Sequence, residues 1–81
     1  MKKERRTVDR RHVSMTGVII LGERKPRVQC RVADISEKGA GLELLAMEDI
    51  PEESDIVIEG IRRRCRRVWR TGTRIGVAFR E

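Results

Sequence analysis

The stretch RVQCRVADI, Arg27 to Ile35, alternates polar and apolar residues with period two, placing Val28, Cys30 and Val32 on one face and Arg27, Gln29 and Arg31 on the other. This is the signature of a strand with one face in a core and one in water. It is followed at once by DISEKG, Asp34 to Gly39, and then by a second apolar run, AGLELLA. Asp and Ser bond locally to backbone and Gly tolerates positive φ, so DISEKG reads as a tight turn joining two antiparallel strands, with Leu42 and Leu44 sharing a face of the second.

The same logic extends in both directions. Before it, Val13 and Met15 lead into GVIIL, a first strand ending near Leu21, and the loop from Gly22 is closed by Pro26. After it, MEDIPEES reads as an exposed acidic loop broken by Pro51, and DIVIEG supplies a fourth strand with Ile56 and Ile58, or Val57, inward. IRRRCRRVWRTG and TRIGVAFR form a closing hairpin that turns at Thr71 to Thr73, with Ile75, Val77 and Phe79 on one face. No segment has helical periodicity. Six short strands without a helix predict a small all-β fold, an antiparallel six-stranded β-barrel, because closure removes edges that would pair with other chains. Residues 12–81 make the barrel, and residues 1–11, MKKERRTVDRR, form a flexible basic arm.

At 81 residues, the chain has room for one modest core and no second lobe. Charged residues (40%) outnumber hydrophobic ones (38%), so the apolar side chains must be concentrated on strand faces if burial is to outweigh ordering entropy. Nineteen Lys and Arg against thirteen Asp and Glu give a formal charge of +6, mostly arginine, which favours an anionic partner. Cys30 and Cys65 fall on apolar strand sides, the latter in alternation with Trp69, which places Trp69 in the core. Buried free thiols, a cytoplasmic setting and no membrane insertion are expected, there being no signal peptide, long apolar span or metal-spaced ligands.

Catalysis has little to work with. His12 is the one histidine, and neither a Ser–His–Asp set nor a paired-carboxylate motif is present, so the chain is not expected to be an enzyme. The informative residues are Arg6 and Arg10 in RTVDR, whose guanidiniums suit phosphates or a guanine O6 and N7 edge, and the polar turn. There Asp34 can accept from guanine N1–H and N2–H, Ser36 adds a second polar contact, and Gly39 admits a purine close to the backbone.

An RxxxR arm followed by a D-x-S-x-x-G turn resembles the PilZ family, bacterial receptors for cyclic di-GMP, and CRRVWRTGTRIGVAF is similar to the closing hairpin of its short members. The resemblance covers most of the chain. It implies a six-stranded barrel with the ligand, cyclic di-GMP, wrapped by the arm. It carries phosphate and guanine binding to Arg6 and Arg10, with Arg5 adding a contact, and guanine-edge contacts to Asp34, Ser36 and Gly39. No cofactor is implied beyond that ligand. The expected function is a sensor or adaptor that orders its arm on binding and signals to an unidentified partner protein.

Two features depart from the family pattern: the chain stops at Glu81 without the C-terminal helix of many members, and Arg67 stands where relatives often carry an apolar residue. Either the strand bulges at Arg67 or its side chain reaches the barrel rim. Two other readings are a small basic barrel that binds single-stranded nucleic acid through RRRCRRVWR with Trp69 as a stacking platform, and a nucleotide-independent protein–protein adaptor. Against nucleic acid, the chain has only two aromatic residues.

Overall fold

The computed structural model describes residues 11–80. The arm residues Arg5, Arg6 and Arg10 lie outside that range. Six strands, β1 (Arg11–Ile20), β2 (Arg27–Ile35), β3 (Gly39–Leu44), β4 (Glu53–Ile58), β5 (Ile61–Thr71) and β6 (Arg74–Phe79), close an antiparallel barrel in the order β1-β2-β3-β6-β5-β4. Arg11, the last residue assigned to the arm by sequence, opens β1. Val28, Cys30 and Val32 are buried as their alternation requires, with Ile19, Leu42, Ile56 and Ile75 packed against them. Both cysteines are buried and free. Each strand is paired on two sides, so its ladder hydrogen bonds are satisfied within the barrel wall.

Turn chemistry sets the hairpins. Glu59 (φ 53°) and Gly60 (φ 80°) both take positive φ between the paired Ile58 and Ile61, the two-residue geometry that matches strand twist. Gly72 (φ 62°) leads the β5–β6 turn between Thr71 and Arg74.

The β3–β4 connection is different, because β3 and β4 are not neighbours: residues 45–52 must pass the ends of β6 and β5. This segment is exposed, as its acidity leads one to expect, except at one position. Met47 is 68% exposed, but Ile50 is only 2% exposed and stoppers that end of the barrel. Arg67 holds it there: its guanidinium Nη1 donates to the Ile50 carbonyl (2.6 Å), and its backbone N–H donates to the Glu52 carbonyl (2.8 Å). The open question about Arg67 is thus resolved by both alternatives together. It reaches the rim, and the register slips between Arg67 and Trp69.

That slip moves Trp69. Arg67 opposes Val77 while Trp69 opposes Gly76, so β5 carries one extra residue and the side-chain parity reverses beyond it. The expectation of a core tryptophan is overturned: Trp69 is 51% exposed and lies on the outer wall.

Candidate functional site

A second bulge positions Asp34. Val32 opposes Leu42 and Asp34 opposes Gly41, so β2 has an extra residue at Ala33 and the parity flips again. Without it the alternation Val28, Cys30, Val32 would turn Asp34 into the core. With it Ile35 packs against the core and Asp34 takes the outer face, half-buried. Its carboxylate lies over Gly41, where an added Cβ would stand 2.7 Å from Oδ2 and 3.1 Å from Oδ1.

The turn that follows is pinned by its own polar groups. Ser36 N–H donates to the Gly39 carbonyl (2.8 Å), and the Ser36 hydroxyl accepts from Lys38 N–H (3.2 Å) and reaches the Gly39 carbonyl (3.5 Å). A hydroxyl has two acceptor lone pairs, so Ser36 keeps acceptor capacity beyond the turn. Gly39 is constrained by its neighbour: any Cβ there would collide with the Val77 carbonyl of β6, so β3 and β6 approach closely only because the residue is glycine.

Strand register then assembles a row that crosses the outer wall. His12 of β1 opposes Asp34, Asp34 opposes Gly41, Gly41 opposes Gly76, and Gly76 opposes Trp69. The Trp69 indole lies on Gly76, whose absent side chain makes room for it. The next row toward the D-x-S-x-x-G turn is Gly39, Ala78, Arg66. The wall of β2, β3, β6 and β5 therefore has a floor of small residues, with a carboxylate at one side and an indole at the other. Arg66 is exposed and makes no ion pair among the described residues, leaving a full guanidinium beside this floor. Arg74, on the opposite side, is bridged to Glu43 (3.0 Å).

The structure thus brings Asp34, Ser36 and Gly39 to one corner, at the barrel end where β1 begins, and extends that corner with Trp69, Gly41, Gly76 and Arg66. Sequence reading missed Trp69 because period-two counting through a bulge assigns the wrong face, and missed Gly41, Gly76 and Arg66 because only strand pairing sets them beside Asp34. An arginine in an apolar series, Arg67, was the available sign that β5 breaks its alternation. Among the described residues, no helix is long and apolar enough to cross a membrane. Comparison with known proteins gives one family: a model of the PilZ domain matches residues 3–81. No curated protein matches the chain.

Proposed function

The chain belongs to the PilZ family, cyclic di-GMP-binding adaptors rather than enzymes, and on that premise we propose that it binds cyclic di-GMP on the β2-β3-β6-β5 wall and passes the signal to a partner protein. The observation that carries this reading is the Asp34 carboxylate held over Gly41, in register with the exposed indole of Trp69. A guanine presents two N–H donors on one edge and a flat face. Asp34 suits the edge, the small-residue floor admits the base, and Trp69 offers a stacking face at the far side. Ser36 adds an acceptor at the same corner. Arg5, Arg6 and Arg10 close over the ligand and, with Arg66, neutralise its two phosphates through charge-assisted bonds. Closing the arm costs conformational entropy, so affinity rests on those bonds exceeding it.

Calorimetry on the full chain tests this. Cyclic di-GMP is expected to bind, Arg10→Ala to abolish measurable binding with the barrel folded, and Asp34→Ala to weaken binding by about 1.5–3 kcal/mol, the worth of a hydrogen bond to a charged group. Adenine has no N–H pair on that edge, so Asp34→Ala also narrows the preference for cyclic di-GMP over cyclic di-AMP. A flat isotherm for the wild-type chain removes the reading; an unaltered preference in Asp34→Ala removes the carboxylate's role.

The exposure of Trp69 also favours a second reading, stacking of single-stranded nucleic acid. The rest of that strand argues against it. Arg62 and Arg64 are committed to Asp55 (2.7 and 2.9 Å), whose carboxyl is held below the ordinary range chiefly by the Arg62 hydrogen bond. The other aromatic residue, Phe79, packs against the core. A steep loss of affinity with salt marks a polynucleotide ligand, a shallow one a compact dianion.

A further inference from the structure

The two ends of the barrel are built differently. At one, Ile50 fills the opening and the Arg67 guanidinium grips the carbonyl of that plugging residue. The other end has no such plug among the described residues. Ile35, Ile56, Ile58, Ile61 and Phe79 line an apolar cavity of about 110 Å³ there. Ile61, at its lip, is 63% exposed. An apolar cavity of ~150 Å³ takes a guest the size of benzene, so this one matches a branched aliphatic side chain.

An arginine stands at this rim too. Arg63 and Arg67 flank Cys65 two positions away on either side, in the same series of β5. The Arg63 guanidinium lies over the Phe79 ring, 4.0 Å from its centroid, and makes no ion pair among the described residues. A guanidinium held against a ring by its face still has its N–H donors to offer, and a carboxylate can accept from two of them at once. Glu59 stands at the hairpin tip on the rim, so an incoming acid is steered to the Arg63 side.

We propose that this mouth is a docking site for a segment of a partner protein that presents a branched aliphatic side chain with a carboxylate beside it, the aliphatic group entering the cavity and the carboxylate pairing with Arg63. It repeats between two chains what Ile50 and Arg67 do within one. The proposal does not depend on nucleotide binding at the outer wall.

The test is selection of a displayed random-peptide library on the immobilised full-length chain, with Ile61→Asp and Arg63→Glu selected in parallel. Both positions are exposed, and circular dichroism verifies that each variant keeps the barrel. Peptides carrying Leu, Ile or Val next to Asp or Glu are expected to enrich on the wild-type chain and, as synthetic peptides, to bind Ile61→Asp at least tenfold more weakly. Arg63→Glu is expected to exchange the flanking acid for Lys or Arg. Equal enrichment on wild type and Ile61→Asp overturns the proposal, as does a flanking charge that ignores Arg63→Glu. Sedimentation showing a wild-type dimer that Ile61→Asp dissociates also overturns it, by assigning the mouth to a second copy of the chain.

Discussion

Replacing Ile50 by alanine probes whether the crossing segment really stoppers the barrel. Ile50 is 2% exposed, so the substitution removes three buried carbons, about 2.4 kcal/mol at ~0.8 kcal/mol per methylene. A residual cavity adds ~24 cal/mol per Å³ unless the segment collapses into it. Collapse is opposed by the two bonds from Arg67, to the Ile50 and Glu52 carbonyls. The expected cost is therefore about 3–4 kcal/mol. An 81-residue domain has on the order of 4–12 kcal/mol in total, so the variant should be near the edge of folding. Its thermal midpoint should fall by roughly 12–30 °C. Urea unfolding followed by circular dichroism measures the loss, and the slope with denaturant should be unchanged. Met47→Ala in the same segment, at a 68% exposed position, should move stability by less than about 0.5 kcal/mol. The double variant with Arg67→Ala should be non-additive, because the two residues share one contact. A loss under about 1 kcal/mol for Ile50→Ala would refute the stopper and return the segment to an exposed loop.

Gly76→Ala should push the indole off the wall, changing the emission of the single tryptophan while far-UV circular dichroism stays that of the folded barrel; unchanged emission would show that Trp69 does not rest there. Gly39→Ala should cost at least about 1–3 kcal/mol in urea unfolding, because the colliding Val77 carbonyl belongs to a paired strand and cannot step aside. Gly22→Ala, where the new methyl group meets only Lys25 at ordinary contact distance (3.5 Å), should be nearly neutral, and equal costs at the two positions would contradict the packing. Burial pushes the Cys30 thiol up to about 11 from 9.0. The folded state therefore holds that proton longer than the unfolded chain. The associated stability is complete below about pH 9 and is lost as pH rises toward 11. Cys30→Ala should flatten that alkaline decline, and a thiol reagent at pH 8 should label neither cysteine until urea is added; rapid labelling of the folded chain would place the thiols outside the core.

The strand count and the sheet character could be read in one dimension because burial in a barrel wall imposes a period of two, and Val28, Cys30, Val32 and Ile75, Val77 carry that period directly. The D-x-S-x-x-G turn was readable for a local reason as well. Ser36 and Gly39 close the turn with bonds spanning three residues, so the residue types needed there are adjacent in sequence. From the same pattern came the pair of buried thiols.

What sequence by itself determined, then, is whatever depends on neighbours along the chain: strands, turns, charge and the family to which the motifs point. Tertiary pairing alone decided which face Trp69 occupies and by what device Asp34, read as a surface residue of its turn, reaches the outer one. One extra residue at Ala33 and another between Arg67 and Trp69 reverse the parity, and a bulge is defined by the strand opposite, which periodicity cannot see. Pairing likewise decided that Ile50 in an acidic segment is core, since only the order β3-β6-β5-β4 sends that segment across a barrel end. It also brought Gly41 and Gly76, thirty-five positions apart, side by side beneath the site. Each of these outcomes belongs to contacts between distant residues, whose energy is set by closure of the barrel and not by local preference.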